Sequence, residues 1–461
     1  MTFTSFEFVI FFFVMFLVTI LLERYKKFAA REWVLLVGSY FFYGYWDWRF
    51  CFLLLLVTVV AYFVAKNSEN TSLYVTGICV PLVVLGLFKY FNFFVNTFVE
   101  AFHIANDLTI QLILPVGISF YTFQALSYVI DVRRDKLSPE SSFRKLALYI
   151  SFFPQLVAGP IVKAADFLPQ QYKDKYVSWN GFQDGIQIMV FGFFKKVVIA
   201  DHISVFVDDV YFSPNAFSGE TILFAVFAYS LQIYFDFSGY SDIAIGCAKC
   251  FGYNFRDNFN LPYVSNNVTD FWKRWHISLS SWLKEYLYIS LGGNRCSKHR
   301  MYANLMMTML LGGLWHGASW NFVFWGGLNG IMLCVDKMVG SKQRAISLVK
   351  VVATFVFITF TWIFFRAGNF EIAWIVIKRI VTWQPGLYQP FMWFFVGLSI
   401  LVIASCIAVV RSKKFGMTMI EGFYPIMDLG TVKGLTFFFV EIGLVLGLAY
   451  TGSNPFVYFQ F

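Results

Sequence analysis

Five histidines are spread over 461 residues, and two of them stand where a histidine is costly. His316 lies in Leu310-Leu311-Gly312-Gly313-Leu314-Trp315-His316-Gly317-Ala318-Ser319-Trp320, inside a long apolar run. An ionisable side chain at membrane depth marks either a functional site or a polar link between helices. Imidazole titrates near working pH, so it is the usual group for taking a proton from a hydroxyl. Gly313 and Gly317 have G-x-x-x-G spacing, as do Gly326 and Gly330. Such spacing lets a neighbouring helix or a substrate chain approach the backbone closely. Trp315 and Trp320 could wall a narrow channel, and backbone N–H groups near the glycines could stabilise an oxyanion. His276 lies in Phe271-Trp272-Lys273-Arg274-Trp275-His276-Ile277-Ser278-Leu279-Ser280. On a helix it projects near Trp272, Leu279 and Leu283, toward protein or membrane; the competing reading is an interfacial histidine that reaches water. His103 and His202, near span ends, and His299, between Lys298 and Arg300, read as solvated or interfacial.

Acids also occur in apolar surroundings. Asp236 and Asp242 lie in Gln232-Ile233-Tyr234-Phe235-Asp236-Phe237-Ser238-Gly239-Tyr240-Ser241-Asp242, and Glu441 falls in the last apolar run. Each is a candidate proton relay or substrate contact, or half of a polar pair that fixes helix register. Gln232 and Asp236 join the candidate substrate contacts. Other chemistries lack their signatures. The sequence has no G-x-S-x-G elbow, no Walker A loop, no histidine with an aspartate five residues later, and no histidine pair at metal-ligand spacing. The seven cysteines are scattered through apolar runs and imply no disulfide framework, so Cys247 and Cys250 read as core packing.

The elements that must hold these residues are helices in a membrane. Hydrophobic residues make up 58% of the chain and charged residues 14%, against about 25% charged in soluble domains. That excludes disorder, and the long continuous runs exclude the alternating pattern of a transmembrane barrel. The fold class is an all-α polytopic membrane protein. At ~20 residues per crossing, candidate spans are Phe6–Leu22, Trp33–Tyr45, Phe50–Ala65, Leu73–Val95, Leu112–Ile130, Leu146–Ile161, Phe182–Ala200 and Ile222–Cys247. Tyr302–Val335, Val349–Phe365, Phe391–Val410 and Leu435–Tyr450 follow. About eleven crossings are expected. Pro154, Gly159 and Pro160 interrupt one run, and Tyr302–Val335 is too long for one span yet tight for two. The basic cluster Arg24, Lys26, Lys27 and Arg31 after the first run predicts an outside N-terminus.

The net charge of +9 reflects basic clusters between apolar runs, a topology signal rather than a nucleic-acid footprint. The stretch from Lys249 to Arg300 carries eight Lys and Arg against three acids, a net +5, and is placed on the cytoplasmic side. Within it, Phe271–Ile289 reads as one amphipathic interfacial helix with Trp272, Trp275, Leu279, Trp282, Leu283 and Tyr286 on a stripe. Asp270 is its N-cap or first-turn acid, and Gly292-Gly293-Asn294 ends it. Internal repeats are not evident, and charge pairs in the spans look scarce; both count against a transporter or flippase for a lipid-linked sugar.

The blocks around His276 and His316 carry a resemblance. Trp272-Lys273-Arg274-Trp275-His276-Ile277-Ser278-Leu279, continuing to Leu291-Gly292-Gly293-Asn294-Arg295, resembles the signature of the membrane-bound O-acyltransferase (MBOAT) family. Leu311–Trp320 does so too, as do Phe152–Ile161, Asp236–Asp242 and Asn454–Phe459. The resemblance is strongest over residues 115–461 and is closest to the bacterial alginate O-acetyltransferase branch. It implies a single domain over 1–461, with spans and re-entrant or interfacial helices around a central funnel. It implies that His316 matches the family's catalytic histidine and His276 its second functional polar position. Trp315, Trp320, Trp272, Lys273, Arg274 and Trp275 then become candidate substrate contacts. The implied donor is cytosolic acetyl-CoA, a substrate and not a tightly bound cofactor; no metal is implied. The implied acceptor is an extracytoplasmic polysaccharide, reached through a periplasmic or membrane-anchored partner acetyltransferase. The implied location is the bacterial inner membrane. Peptidoglycan or another envelope polymer is the alternative acceptor, and a D-alanyl donor is the more distant variant.

Overall fold

The structure, a computed structural model, describes residues 1–103, 109–110, 112–172, 176–340, 347–389, 397, 418–420, 424–452 and 456. It is helical almost throughout. The first helices are α1 (Phe6–Arg24), α2 (Phe28–Asp47), α3 (Phe50–Lys66), α4 (Thr71–Leu85), α5 (Phe91–Phe102), α6 (Ile118–Arg133), α7 (Phe143–Ser151), α8 (Phe153–Leu156) and α9 (Ala164–Phe167). Then come α10 (Trp179–Phe193), α11 (Asp201–Phe212), α12 (Gly219–Cys250), α13 (Val268–Arg274), α14 (Ile277–Trp282) and α15 (Lys298–His316). They are followed by α16 (Trp320–Val339), α17 (Leu348–Arg366), α18 (Phe370–Val381) and α19 (Val432–Leu448). A short antiparallel pair, Thr418–Ile420 with Tyr424–Ile426, is the exception.

Many starts are written in the sequence. The side chains of Ser5, Asn70, Asn267, Ser297, Ser319, Asn369 and Thr431 each accept a backbone N–H of the helix they open, satisfying donors the helix itself leaves over. Gly340, left-handed at φ 64°, closes α16.

Among the described residues, five helical stretches are long and apolar enough to cross a membrane: Phe6–Arg24, Thr71–Phe102, Gly219–Cys250, Trp320–Val339 and Leu348–Arg366. The expected eleven spans also drew on shorter and broken pieces. One of these, Leu146–Ile161, is broken where its prolines fall, into α7, α8 and an irregular segment. Every residue from 146 to 162 is buried. Irregular backbone at depth requires such burial, because lipid offers it no partners. The Gln155 side-chain amide donates to the Tyr149 carbonyl, and the Tyr149 hydroxyl donates to the Val162 carbonyl at 3.0 Å. The long run Tyr302–Val335 is a hairpin of α15 and α16. The expected span Phe391–Val410, apart from Gly397, and the block Asn454–Phe459, apart from Phe456, lie outside the described residues.

The contacts divide the chain into two compact units: Met1–Met189 with Ile243–Arg256, and Val190–Asp242 with Asp257–Phe461. In the first, α1 packs on α2 where Gly38 gives room to the Met15 side chain. Arg31, buried, pairs with Glu23 at 2.7 Å and donates to the Phe251 carbonyl at 2.5 Å. Arg144 pairs with Glu32 at 2.7 Å. Gly185 and Gly246 press backbone on backbone, so that a Cβ on either would strike the other's carbonyl. In the second unit Gly239 meets the Gly192 carbonyl in the same way. Small residues at such crossings allow close helix packing without a water-driven force.

Candidate active site

His276 does not lie on a continuous helix. The expected helix Phe271–Ile289 is broken: α13 ends at Arg274, Trp275 is extended, and His276 is left-handed at φ 42° and ψ 55°. After α14, Leu283–Tyr288 winds as a wider turn. The break has a visible cause. The segment around Asn258 takes up the backbone groups on both sides of it. Asn260 N–H donates to the Arg274 carbonyl at 2.9 Å, and Ile277 N–H donates to the Asn258 carbonyl at 2.9 Å. Ser278 N–H donates to Asn258 Oδ1 at 3.1 Å. Periodicity predicted one amphipathic stripe; hydrogen bonds from a distant segment override it. Asp270 is the first-turn acid of α13, the cap being Asn267, and Gly292 and Gly293, both at positive φ, end the wide turn as expected.

The break carries His276 inward. The side chain is fully buried, which overturns the interfacial reading. Its ring meets Phe237 edge-on at 4.6 Å and Trp315 at 6.0 Å. Nδ1 lies 3.3 Å from Asn258 Oδ1 and 3.4 Å from Ser278 Oγ. Burial pushes this imidazole down to about 3, so it is neutral at working pH.

His316 is the last residue of α15 and is buried. Its ring lies against Trp315 at 5.0 Å, Trp325 at 5.1 Å and Phe365 at 5.3 Å. Trp325 stacks on Trp362 at 5.6 Å, and Trp362 meets Trp275 at 5.1 Å. The α15–α16 hairpin sets His316 in place. A Cβ on Gly313 would strike the Phe322 carbonyl, and one on Gly326 the Met309 carbonyl. Gly313, Gly326 and Gly330 therefore serve helix–helix contact, whereas Gly317, just past α15, lies against the Phe322 ring. The two histidines and Trp315 thus form one buried group.

The other sequence candidates divide. Trp315 is part of the group. Trp272 and Trp275 back it from behind: Trp272 Nε1 donates to Asn329 Oδ1 at 3.3 Å, its ring meets Trp325 at 5.6 Å, and Trp275 stacks on Phe271 at 5.5 Å. Trp320, first in α16, is half exposed, so the expected pair of walls is unequal. Lys273 is exposed, and Arg274 pairs with Asp270 at 3.2 Å. Gln232 is buried on α12. Asp236 pairs with Lys196 at 2.5 Å, and the same ammonium holds Asp201 at 2.7 Å. Lys195 pairs with Asp242 at 2.5 Å.

These pairs correct the expectation that charge pairs are scarce in the apolar runs. Lys195 and Lys196 were visible in the run Phe182–Ala200, but of their partners only Asp201 is near in sequence, while Asp236 and Asp242 lie on a helix some forty residues away. Asn258 was missed altogether; a polar residue in an aperiodic stretch of Asn, Phe and Arg gives no signal of its reach. Of the eight basic residues in 249–300, Lys249 pairs with Asp184 at 3.1 Å and Arg256 with Asp166 at 2.8 Å. Lys273, Lys284, Arg295, Lys298 and Arg300 are exposed.

The fold and the site thus define a multi-pass helical membrane protein that buries two histidines in an aromatic enclosure. Residues 1–374 match the membrane-bound O-acyltransferase family, to which the chain belongs. It is therefore an O-acyltransferase. The family assigns acyl transfer, where composition alone had left transport open. Among its relatives is the probable alginate O-acetylase AlgI of Pseudomonas aeruginosa, 40% identical over 78% of this chain and 71% of that protein. The peptidoglycan O-acetyltransferase of Helicobacter pylori is 39% identical over 78% of this chain and 76% of that protein. The teichoic acid D-alanyltransferase of Bacillus subtilis is 27% identical over 57% of this chain and 71% of that protein.

Proposed function

We propose that the protein moves an acetyl group from cytosolic acetyl-CoA toward hydroxyls of an extracytoplasmic polysaccharide, with His316 as general base. The observation that carries this reading is the placement of both buried imidazoles on one indole, Trp315. His316 takes the proton of an acceptor hydroxyl as its oxygen attacks the thioester carbonyl. The new C–O bond forms, the C–S bond breaks, and the thiolate leaves to be protonated as free CoA. The hydroxyl belongs to the polymer, or to a periplasmic or membrane-anchored partner that passes acetyl on. His316 ends a helix, where unsatisfied carbonyls favour the positive charge it gains. His276 stands beside it as the neutral polar group toward the thioester. The exposed cations Lys273, Lys284, Arg295, Lys298 and Arg300 draw the anionic donor to the cytoplasmic face of an inner membrane.

The polymer is alginate-like on the strength of the alginate O-acetylase relatives. The peptidoglycan O-acetyltransferase relative, at nearly equal identity and coverage, supports peptidoglycan as a second reading. The test is His316→Ala in cells, followed by measurement of ester-linked acetate on each purified polymer. Acetate should vanish from one polymer while the protein accumulates normally in the membrane. Undiminished acetate on every polymer would overturn the assignment, and the polymer that loses it names the acceptor.

A further inference from the structure

Asn258 stands out among the residues outside the sequence motifs. It is almost completely buried, and both ends of its side chain are engaged. Oδ1 accepts the backbone N–H of Ser278 at 3.1 Å, and Nδ2 donates to Ser241 Oγ at 3.1 Å. A backbone N–H can only donate, so the bond from Ser278 fixes which end of the amide is the oxygen. The same oxygen lies 3.3 Å from His276 Nδ1. An amide oxygen cannot donate, so this contact is a hydrogen bond when Nδ1 carries the proton; the Ser278 hydroxyl, 3.4 Å from Nδ1, is the longer of the two contacts.

We propose that Asn258 is a positioning residue that holds His276 as the Nδ1–H tautomer, with the ring's lone pair on Nε2. The inference rests on the reading of His276 as part of the transfer site. In neutral imidazole one nitrogen donates and the other accepts, and the partner of one sets the role of the other. Asn258 thereby makes Nε2 the basic, proton-accepting atom. Three further observations agree. The Asn258 carbonyl also binds Ile277 N–H, so one residue holds both backbone groups that follow His276. His276 adopts a left-handed backbone that non-glycine residues seldom take. Such strain persists where the surroundings over-determine it, commonly at functional sites. Ser241, which steadies the amide, is on α12 beside Asp242, whose ion pair with Lys195 fixes that stretch.

The experiment uses full-length protein in nanodiscs with 15N-labelled histidine, with the His276 signals identified by their absence in His276→Gln. In the native protein Nδ1 should give the protonated signal and Nε2 the unprotonated one at neutral pH. Asn258→Leu should shift His276 toward the Nε2–H form and lower kcat by roughly 10²-fold, the scale of a mispositioned group in a site, with the KM for acetyl-CoA little changed. Asn258→Asp keeps an acceptor for both Nδ1–H and Ser278 N–H, and Ser241 can donate to its second oxygen. It should restore the native tautomer and most of kcat. An Nε2–H signal in the native protein, or an unchanged tautomer in Asn258→Leu, overturns the proposal. If Asn258→Leu does not fold, the native signal and Asn258→Asp still decide. The tautomer is read without turnover. A wrong tautomer therefore defeats this inference alone, whereas activity retained in His316→Ala defeats the transfer reading alone.

Discussion

His276 and His316 share one neighbour: the indole of Trp315 stands 6.0 Å from the first imidazole and 5.0 Å from the second. The first histidine comes from a break between two short helices, the second from the end of a long one. Trp315 is where the two supports meet. Trp315→Ala should therefore disturb both rings and lower acetyl transfer as severely as His276→Ala, which is itself expected to cause a large but incomplete loss. Trp315→Phe keeps an aromatic wall and should retain more activity. Full transfer by Trp315→Ala, at normal protein level, would mean that the indole merely fills space.

Asp236 was a candidate for substrate contact, yet it faces the ammonium of Lys196, which also holds Asp201. Burying charge is costly unless it is paired, and removing one partner of a buried pair costs about 3–5 kcal/mol. Lys196→Met should accordingly lower the thermal stability of the detergent-solubilised protein strongly. Adding Asp236→Asn should recover part of that loss, because one stranded charge is removed. Thermal unfolding of the single and double variants measures this. Simple additivity of the two losses would show that the carboxylate works apart from the lysine.

The exposed cations Lys273, Lys284, Arg295, Lys298 and Arg300 form the surface part of the basic stretch. If they attract the donor, replacing Lys284, Arg295 and Lys298 by Gln should raise the KM for acetyl-CoA several-fold and leave kcat nearly unchanged. The effect should shrink as salt rises, since exposed charges are screened within about 10 Å at 0.1 M. Steady-state kinetics at two ionic strengths on purified protein are the measurement. A change in kcat alone would assign these residues to topology rather than to the donor.

What the sequence made legible follows from what each signal depends on. The helices and both histidines were readable because apolar runs and a rare ionisable residue are local properties. The hairpin glycines were readable for the same reason. The break at His276 was not, because it is imposed by Asn258 and Asn260 from elsewhere in the chain, and a stripe of tryptophans at helical spacing points the other way. Lys196 and Asp236 were each visible alone, but their pairing needs the fold. Trp272 and Trp275, taken as substrate contacts, face Trp325 and Trp362 across elements that no spacing rule connects.

Gly313 and Gly326 offer the sharpest test of how the site is supported. A Cβ on Gly313 would fall on the Phe322 carbonyl and close to the Gly326 Cα, both backbone atoms that cannot swing aside. A Cβ on Gly327, next to Gly326 in α16, would meet only the end of the Leu310 side chain at 3.5 Å, an ordinary contact. Overpacking of this kind typically costs about 1–3 kcal/mol. Gly313→Ala should thus lower thermal stability by that order and, since His316 lies one turn further along, reduce transfer beyond what the lower protein level explains. Gly327→Ala should be near neutral in both. Specific activity per folded protein, compared between the two, separates the hypotheses. Equal effects would show that the hairpin tolerates a methyl group at its crossing and that His316 is held by its aromatic neighbours alone.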